Sequence, residues 1–169
     1  YDFYLCTSLK TLTIGSGVES IGQSAFNGAT ALETVDFGES SAVTSIGAHA
    51  FRECTSLVSL TIPDSVTEIG YAAFMQCTSM RTVSFGSSVS KIGAHAFMDC
   101  IALQSVSLSE SVLEVGNHAF FNDTSLVNLT IPASVTSLGT VAFGYCSSLR
   151  RVRIHAFDIT FGGTTAEGI

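Results

Sequence analysis

With 169 residues, 46% of them hydrophobic and 12% charged, the chain is long enough for one domain or slightly more, and Ser and Thr supply much of its remaining polarity. A net charge of −7 with no basic stripe argues against a nucleic-acid partner. No run of about 18 apolar residues offers a membrane span, and no basic-then-apolar leader opens the sequence.

The first residues, YDFYLC, carry Phe3 and Cys6 where a later stretch carries Phe74 and Cys77, so the chain is expected to begin inside a repeat. Any signal peptide, cap or anchor would then lie outside it. From there one unit recurs. An Ala-Phe pair places Phe26, Phe51, Phe74, Phe97, Phe120 and Phe143 in one column, with a first step of 25 and then four steps of 23. Leu9, Leu32, Leu57, Met80, Leu103, Leu126 and Leu149 keep the same register. So do Ile21, Ile46, Ile69, Ile92, Val115 and Leu138, each followed by Gly. Such a period marks a solenoid, whose units bury their apolar faces only by stacking. The two extra residues fall in GESSA, between Phe37 and Val43, and predict a bulge on a loop after which the register recovers.

Within a unit, Leu-x-x-Leu-x-Ile, as in Leu57 to Ile62, is short and rich in β-branched residues and stops at Pro63 or Gly86. It reads as a strand closed by a turn. Val-x-x-Ile-Gly predicts a second extended piece, its Gly allowing a sharp turn. The Ala-Phe segment is too short for a full helix and predicts one helical or 3₁₀ turn with Phe as the core plug. The expected fold is an α/β-type solenoid of about six to seven 23-residue coils with a parallel sheet on one face.

Cys54 to Phe74, CTSLVSLTIPDSVTEIGYAAF, closely resembles the repeat C-x-S-L-x-x-L-x-I-P-x-S-V-T-x-I-G-x-x-A-F of BspA-like leucine-rich-repeat proteins. The resemblance covers Phe3 to about His155. It implies a secreted or cell-surface location, as in bacteria and protists, and a role in adhesion to a protein or glycan, such as a host or matrix component. The tail resembles the I-x-Y-x-G-T-x-A-E-W segment that follows the last repeat in bacterial members. Ile159, Phe161, Gly163, Thr164, Ala166 and Glu167 match it, and Gly168 stands in place of the Trp. Residues 1–157 are thus expected to form the solenoid and 158–169 a terminal half-coil sealing its end.

Cys6, Cys54, Cys77, Cys100 and Cys146 share a column that Ala29 and Asp123 complete. Stacked coils sit about 4.8 Å apart, but parallel Cβ vectors suit a disulfide poorly, and one column of thiols makes no tetrahedron for zinc. Buried free thiols are expected. His49, His95 and His118 form another column on the convex side, with no carboxylate recurring beside them at a ligand spacing. Asn122 and Asn128 open glycosylation sequons that matter only on a eukaryotic secretory route.

Nothing in the sequence converges as nucleophile, base and orienting group, so no enzyme, cofactor or metal is expected. The exposed strand positions are the expected binding face. They include Glu33 and Asp36; Val58, Ser59 and Thr61; Arg81, Thr82 and Ser84; Gln104, Ser105 and Ser107; Asn128 and Thr130; and Arg150, Arg151 and Arg153. Seven strands span roughly 30 Å, enough for a peptide or a protein edge. The arginines of the last strand read as a charged end that discourages strand addition, with an anion or partner site as the alternative. Two other functions remain open: a structural spacer or self-assembling surface element, and an ice-binding hydroxyl array interrupted by Asp36, Asn128 and the arginines.

Overall fold

The computed structural model describes residues 2–156 and 159–162. Among them are fourteen strands, β1–β14 in chain order, and no helix. Each coil contributes one strand to each of two parallel sheets. The first sheet uses β1 (Thr11–Thr13), β3 (Thr34–Asp36), β5 (Ser59–Thr61), β7 (Thr82–Ser84), β9 (Ser105–Ser107), β11 (Asn128–Ile131) and β13 (Arg151–Ile154). The second uses β2 (Ser20–Ile21), β4 (Ser45–Ile46), β6 (Glu68–Ile69), β8 (Lys91–Ile92), β10 (Glu114–Val115), β12 (Ser137–Leu138) and β14 (Thr160–Phe161).

The core lies between the sheets and a third wall made of the Ala-Phe segments. Phe51, Phe74, Phe97 and Phe120 are fully buried beside the leucine, isoleucine and cysteine columns. Seven rings, Phe3 to Phe143, stack with centroids 5.1–5.3 Å apart and planes within 12°. The coil spacing sets that distance, and it falls within the range of favourable offset stacking.

The helical or 3₁₀ turn expected at Ala-Phe is absent. The third wall is a run of tight turns holding two left-handed residues per coil, such as His49 (φ 56) with Glu53 (φ 61) and His95 (φ 60) with Asp99 (φ 63). Alternate N–H groups close local turns, as Ala50 to Gly47 O and Arg52 to His49 O. The others reach the next coil, as His49 to Tyr71 O, Phe51 to Ala73 O and Glu53 to Met75 O, each 2.8 Å. Inter-coil bonds win over helix because each one satisfies a buried backbone group on a neighbouring coil.

The glycine column has a different cause from the expected sharp turn. None of these glycines has positive φ; only Gly28 and Gly38 do among the described glycines. A Cβ at Gly47 or Gly70 would come within 2.8 Å of backbone atoms of the preceding coil, and at Gly93 within 2.7 Å. Gly22, the first of the column, has nothing within 4 Å. The column exists so that backbones can approach.

The register recovers after GESSA, since Ile46 pairs with Ile69, but the first sheet does not close over it. It divides into a pair, β1-β3, and a five-stranded sheet, β5 to β13. The longer loop, turned by Gly38 at φ +69 and by the Gly38 N–H donating to Asp36 Oδ1 at 2.8 Å, lies on the coil where β3 and β5 stay neighbours without ladder pairing. The second sheet runs unbroken through all seven of its strands. Of the expected terminal half-coil, Ile159 to Gly162 are described and extend this sheet by pairing Thr160 with Ser137 and Phe161 with Leu138; residues 158 and 163–169 lie outside the described residues.

Candidate binding face

Strand alternation places the candidate face. In β5, Leu60 points inward and is buried, while Ser59 and Thr61 point outward; β7 and β9 repeat this with Val83 and Val106. The sixteen positions expected from the sequence all lie on this outer surface, and all are exposed except half-buried Thr130. Register aligns them into rows: Ser59 beside Thr82, Thr82 beside Ser105, Ser105 beside Asn128 and Asn128 beside Arg151. A second row runs Thr61 to Ser84 and Ser107 to Thr130 to Arg153.

Two depressions mark the face. A shallow trough of about 520 Å³ crosses β9 and β11 where the strands begin, lined by Gln104, Ser105, Val127 and Asn128 with Ser125 and Ser148. A cleft of about 290 Å³ opens between β3 and β5, lined by Thr34, Asp36, Ser59 and Thr61 among others, where the sheet is split. Only the length of GESSA hints at that cleft in the sequence.

Charge is sorted along the face. At one end Lys10 meets Glu33 at 3.7 Å, both exposed. Lys91 with Glu68 and Arg52 with Glu53 pair elsewhere on the coils. Among the described residues, Arg81, Arg150, Arg151 and Arg153 form no ion pair, and all four are on the face. The fifth strand from the split, β13, which carries Arg151 and Arg153, is one of the two edges of the five-stranded sheet.

The other titratable columns are built into the walls. The thiols of Cys54, Cys77, Cys100 and Cys146 donate to the carbonyls of Phe26, Phe51, Phe74 and Phe120 at 3.2–3.4 Å. All five cysteines are free, as expected. Burial pushes the Cys54 and Cys146 thiols up to about 12 and holds Cys77 and Cys100 well above the usual thiol range. A thiol kept protonated is neither a nucleophile nor a metal ligand. His95 and His118 stack at 5.1 Å with planes 12° apart, within a ladder that also holds His49, Tyr71, Phe121 and Tyr145. Parallel stacking does not point two ring nitrogens at a common ion. Burial lowers the pKa of His49 and His95, and Nδ1 of all three histidines is enclosed.

Sequence reasoning read Asp123 only as a gap in the cysteine column. It is fully buried, and burial holds its carboxyl well above the usual carboxylate range. A carboxylate in an otherwise apolar column was the available signal.

This architecture defines a leucine-rich-repeat solenoid. Six copies of the BspA type leucine rich repeat region match the chain, over residues 1–120 and 39–150. A leucine-rich-repeat protein of T. pallidum is 33% identical, with 88% of this chain and 68% of that one covered and a TM-score of 0.79. A Bacteroides ovatus leucine-rich-repeat protein is 27% identical over 92% of this chain and 40% of its own, with a TM-score of 0.79. A leucine rich cell surface protein of Faecalibacterium prausnitzii is 26% identical over 87% and 48%, with a TM-score of 0.69. The chain therefore spans less than half the length of these last two. No curated protein matches it significantly. The chain belongs to the BspA-type leucine-rich-repeat family.

Proposed function

We propose that this chain is a non-catalytic, extracellular binding module that takes a protein or glycan partner, such as a host or matrix component, on the outer surface of its first sheet. Leucine-rich-repeat proteins are in general protein-interaction modules, and a similar structure is that of a cell surface protein. The observation that carries the reading is the division of labour within each strand. Inward residues such as Leu60 and Val106 are buried, while their outward neighbours form aligned rows of exposed polar side chains that serve no packing role. Removing such side chains leaves the core intact, so their identity is free to encode a partner. On this reading the stacked coils act as one binding unit.

The test is a screen of the purified chain against immobilised extracellular-matrix proteins and glycans, with Ser105→Trp alongside. Ser105 is exposed in the middle of the rows, so the indole obstructs the face without entering the core. Capture by wild type and loss in the variant is the expected result. Equal capture by both would move the partner to another surface. No capture at high micromolar concentration would favour a spacer, and thermal hysteresis of freezing would favour the hydroxyl array.

A further inference from the structure

Resting on the reading of the first sheet as the binding face, we propose that the trough between Arg81 and the Arg150–Arg151 pair docks an extended acidic peptide whose carboxylates reach both guanidinium ends. Of the seven lysines and arginines in a chain of net charge −7, three have a carboxylate within 4 Å. The other four form no ion pair among the described residues and are gathered on one face of an acidic protein. Solvated counterions can serve scattered charges, but a concentrated unpaired set is a field that selects an anionic partner.

The geometry narrows the anion. Arg81, Gln104, Val127 and Arg150 occupy the same position on successive coils, since Arg81 N–H, Gln104 N–H, Val127 N–H and Arg150 N–H each bond the carbonyl one coil earlier at that position. Three coil steps put the two arginines about 14 Å apart at their backbones, a distance an extended peptide covers in about four residues. Between them the trough is uncharged. Its lining combines apolar Val127 with the Gln104 and Asn128 amides, which can both donate to and accept from a peptide backbone, and with the Ser105 hydroxyl. Sparse charge with peptide-like hydrogen bonding between suits carboxylates about four residues apart. A densely sulfated glycan would need cations on every coil, and Gln104 and Val127 interrupt them.

The probe is a fluorescein-labelled peptide with glutamates at i and i+4 in a Ser/Thr background, beside its glutamine counterpart, read by fluorescence polarisation. The glutamate peptide is expected to bind more tightly, and more weakly as salt is raised toward a Debye length of about 8 Å. Arg81→Gln is expected to weaken it about two- to fivefold, and Arg150→Gln with Arg151→Gln by about that factor for each guanidinium removed. Arg52→Gln, off the face, should change nothing. Equal binding of the two peptides, or none, overturns the proposal. So does heparin binding that is tighter than the peptide and insensitive to Arg81→Gln. A matrix partner lost in Ser105→Trp but retained both in Arg81→Gln and in the Arg150→Gln, Arg151→Gln double variant would leave the binding-face reading standing while removing the acidic dock.

Discussion

Asp123 Oδ1 accepts the backbone N–H of Cys100 at 2.9 Å, inside the column where other coils place a thiol. Its Oδ2 is buried without a partner, and the Phe97 carbonyl, which the column's spacing sets opposite it, receives no thiol. Cys100 on one side, Cys146 on the other and the nearby Asp99 all face it. None supplies a positive charge, so the neutral carboxyl is favoured.

Because the folded carboxyl holds its proton more tightly than an unfolded one with its ordinary value of 3.8, folding takes up a proton above that value. Stability contributed here is complete below the unfolded pKa and declines as pH rises toward the folded one. Asp123→Cys should remove this decline and stabilise the protein at pH 7.5 by about 1–3 kcal/mol, the cost of an unsatisfied buried polar group. Melting temperatures of wild type and variant from pH 4 to 8 check it. Comparing the two at each pH cancels His49 and His95, whose lowered pKa values slope the other way below 6.5.

Gly70→Ala should destabilise by about 1–3 kcal/mol, because its Cβ would press on Ala48 N and Ile46 O, both backbone, at 2.8 Å. Gly22→Ala meets nothing within 4 Å and should be neutral or stabilising by up to about 1 kcal/mol. Urea unfolding of the pair separates close approach from chain flexibility as the cause of the column.

Phe74→Ala should cost about 3–5 kcal/mol, since the ring is fully buried between Phe51 and Phe97. Phe161→Ala, at a position 59% exposed, should cost far less. Chemical denaturation of both variants provides the readout.

Thiol labelling with an aromatic disulfide at pH 8 should modify Cys6 quickly, because it is only half-buried. Cys54, Cys77, Cys100 and Cys146 should label only on unfolding, as burial disfavours both access and the thiolate. Fast labelling of more than one thiol in the folded protein would contradict the closed column.

The period made the coil, the register and the buried columns legible, because stacking forces equivalent residues into equivalent surroundings. Inward Leu60 and outward Ser59 follow from alternation alone. The turn wall was not legible: His49, Ala72 and Glu53 sit at positive φ without the glycine or asparagine that usually announces it. The glycine column was visible, but its cause lies on a neighbouring coil. The split between β3 and β5 coincides with the longer loop, but loop length alone does not say which ladder pairing is lost. On the binding face, exposure could be read from sequence; the pairing that neutralises Lys10 and Lys91 but leaves Arg81 free could not.

The inter-coil bonds of the turn wall all run one way. From Phe3 to Asn122, every such N–H points to the following coil and every accepting carbonyl points back. Three peptide units per coil are thereby aligned along the solenoid axis, head to tail, as in a helix. Several N–H groups of the second sheet point the opposite way, as Gly47 to Ile21 O and Gly70 to Ile46 O, and offset part of this alignment. The positive side of these aligned units faces the coil that carries Arg150, Arg151 and Arg153, so in this wall backbone and side chains contribute the same sign there.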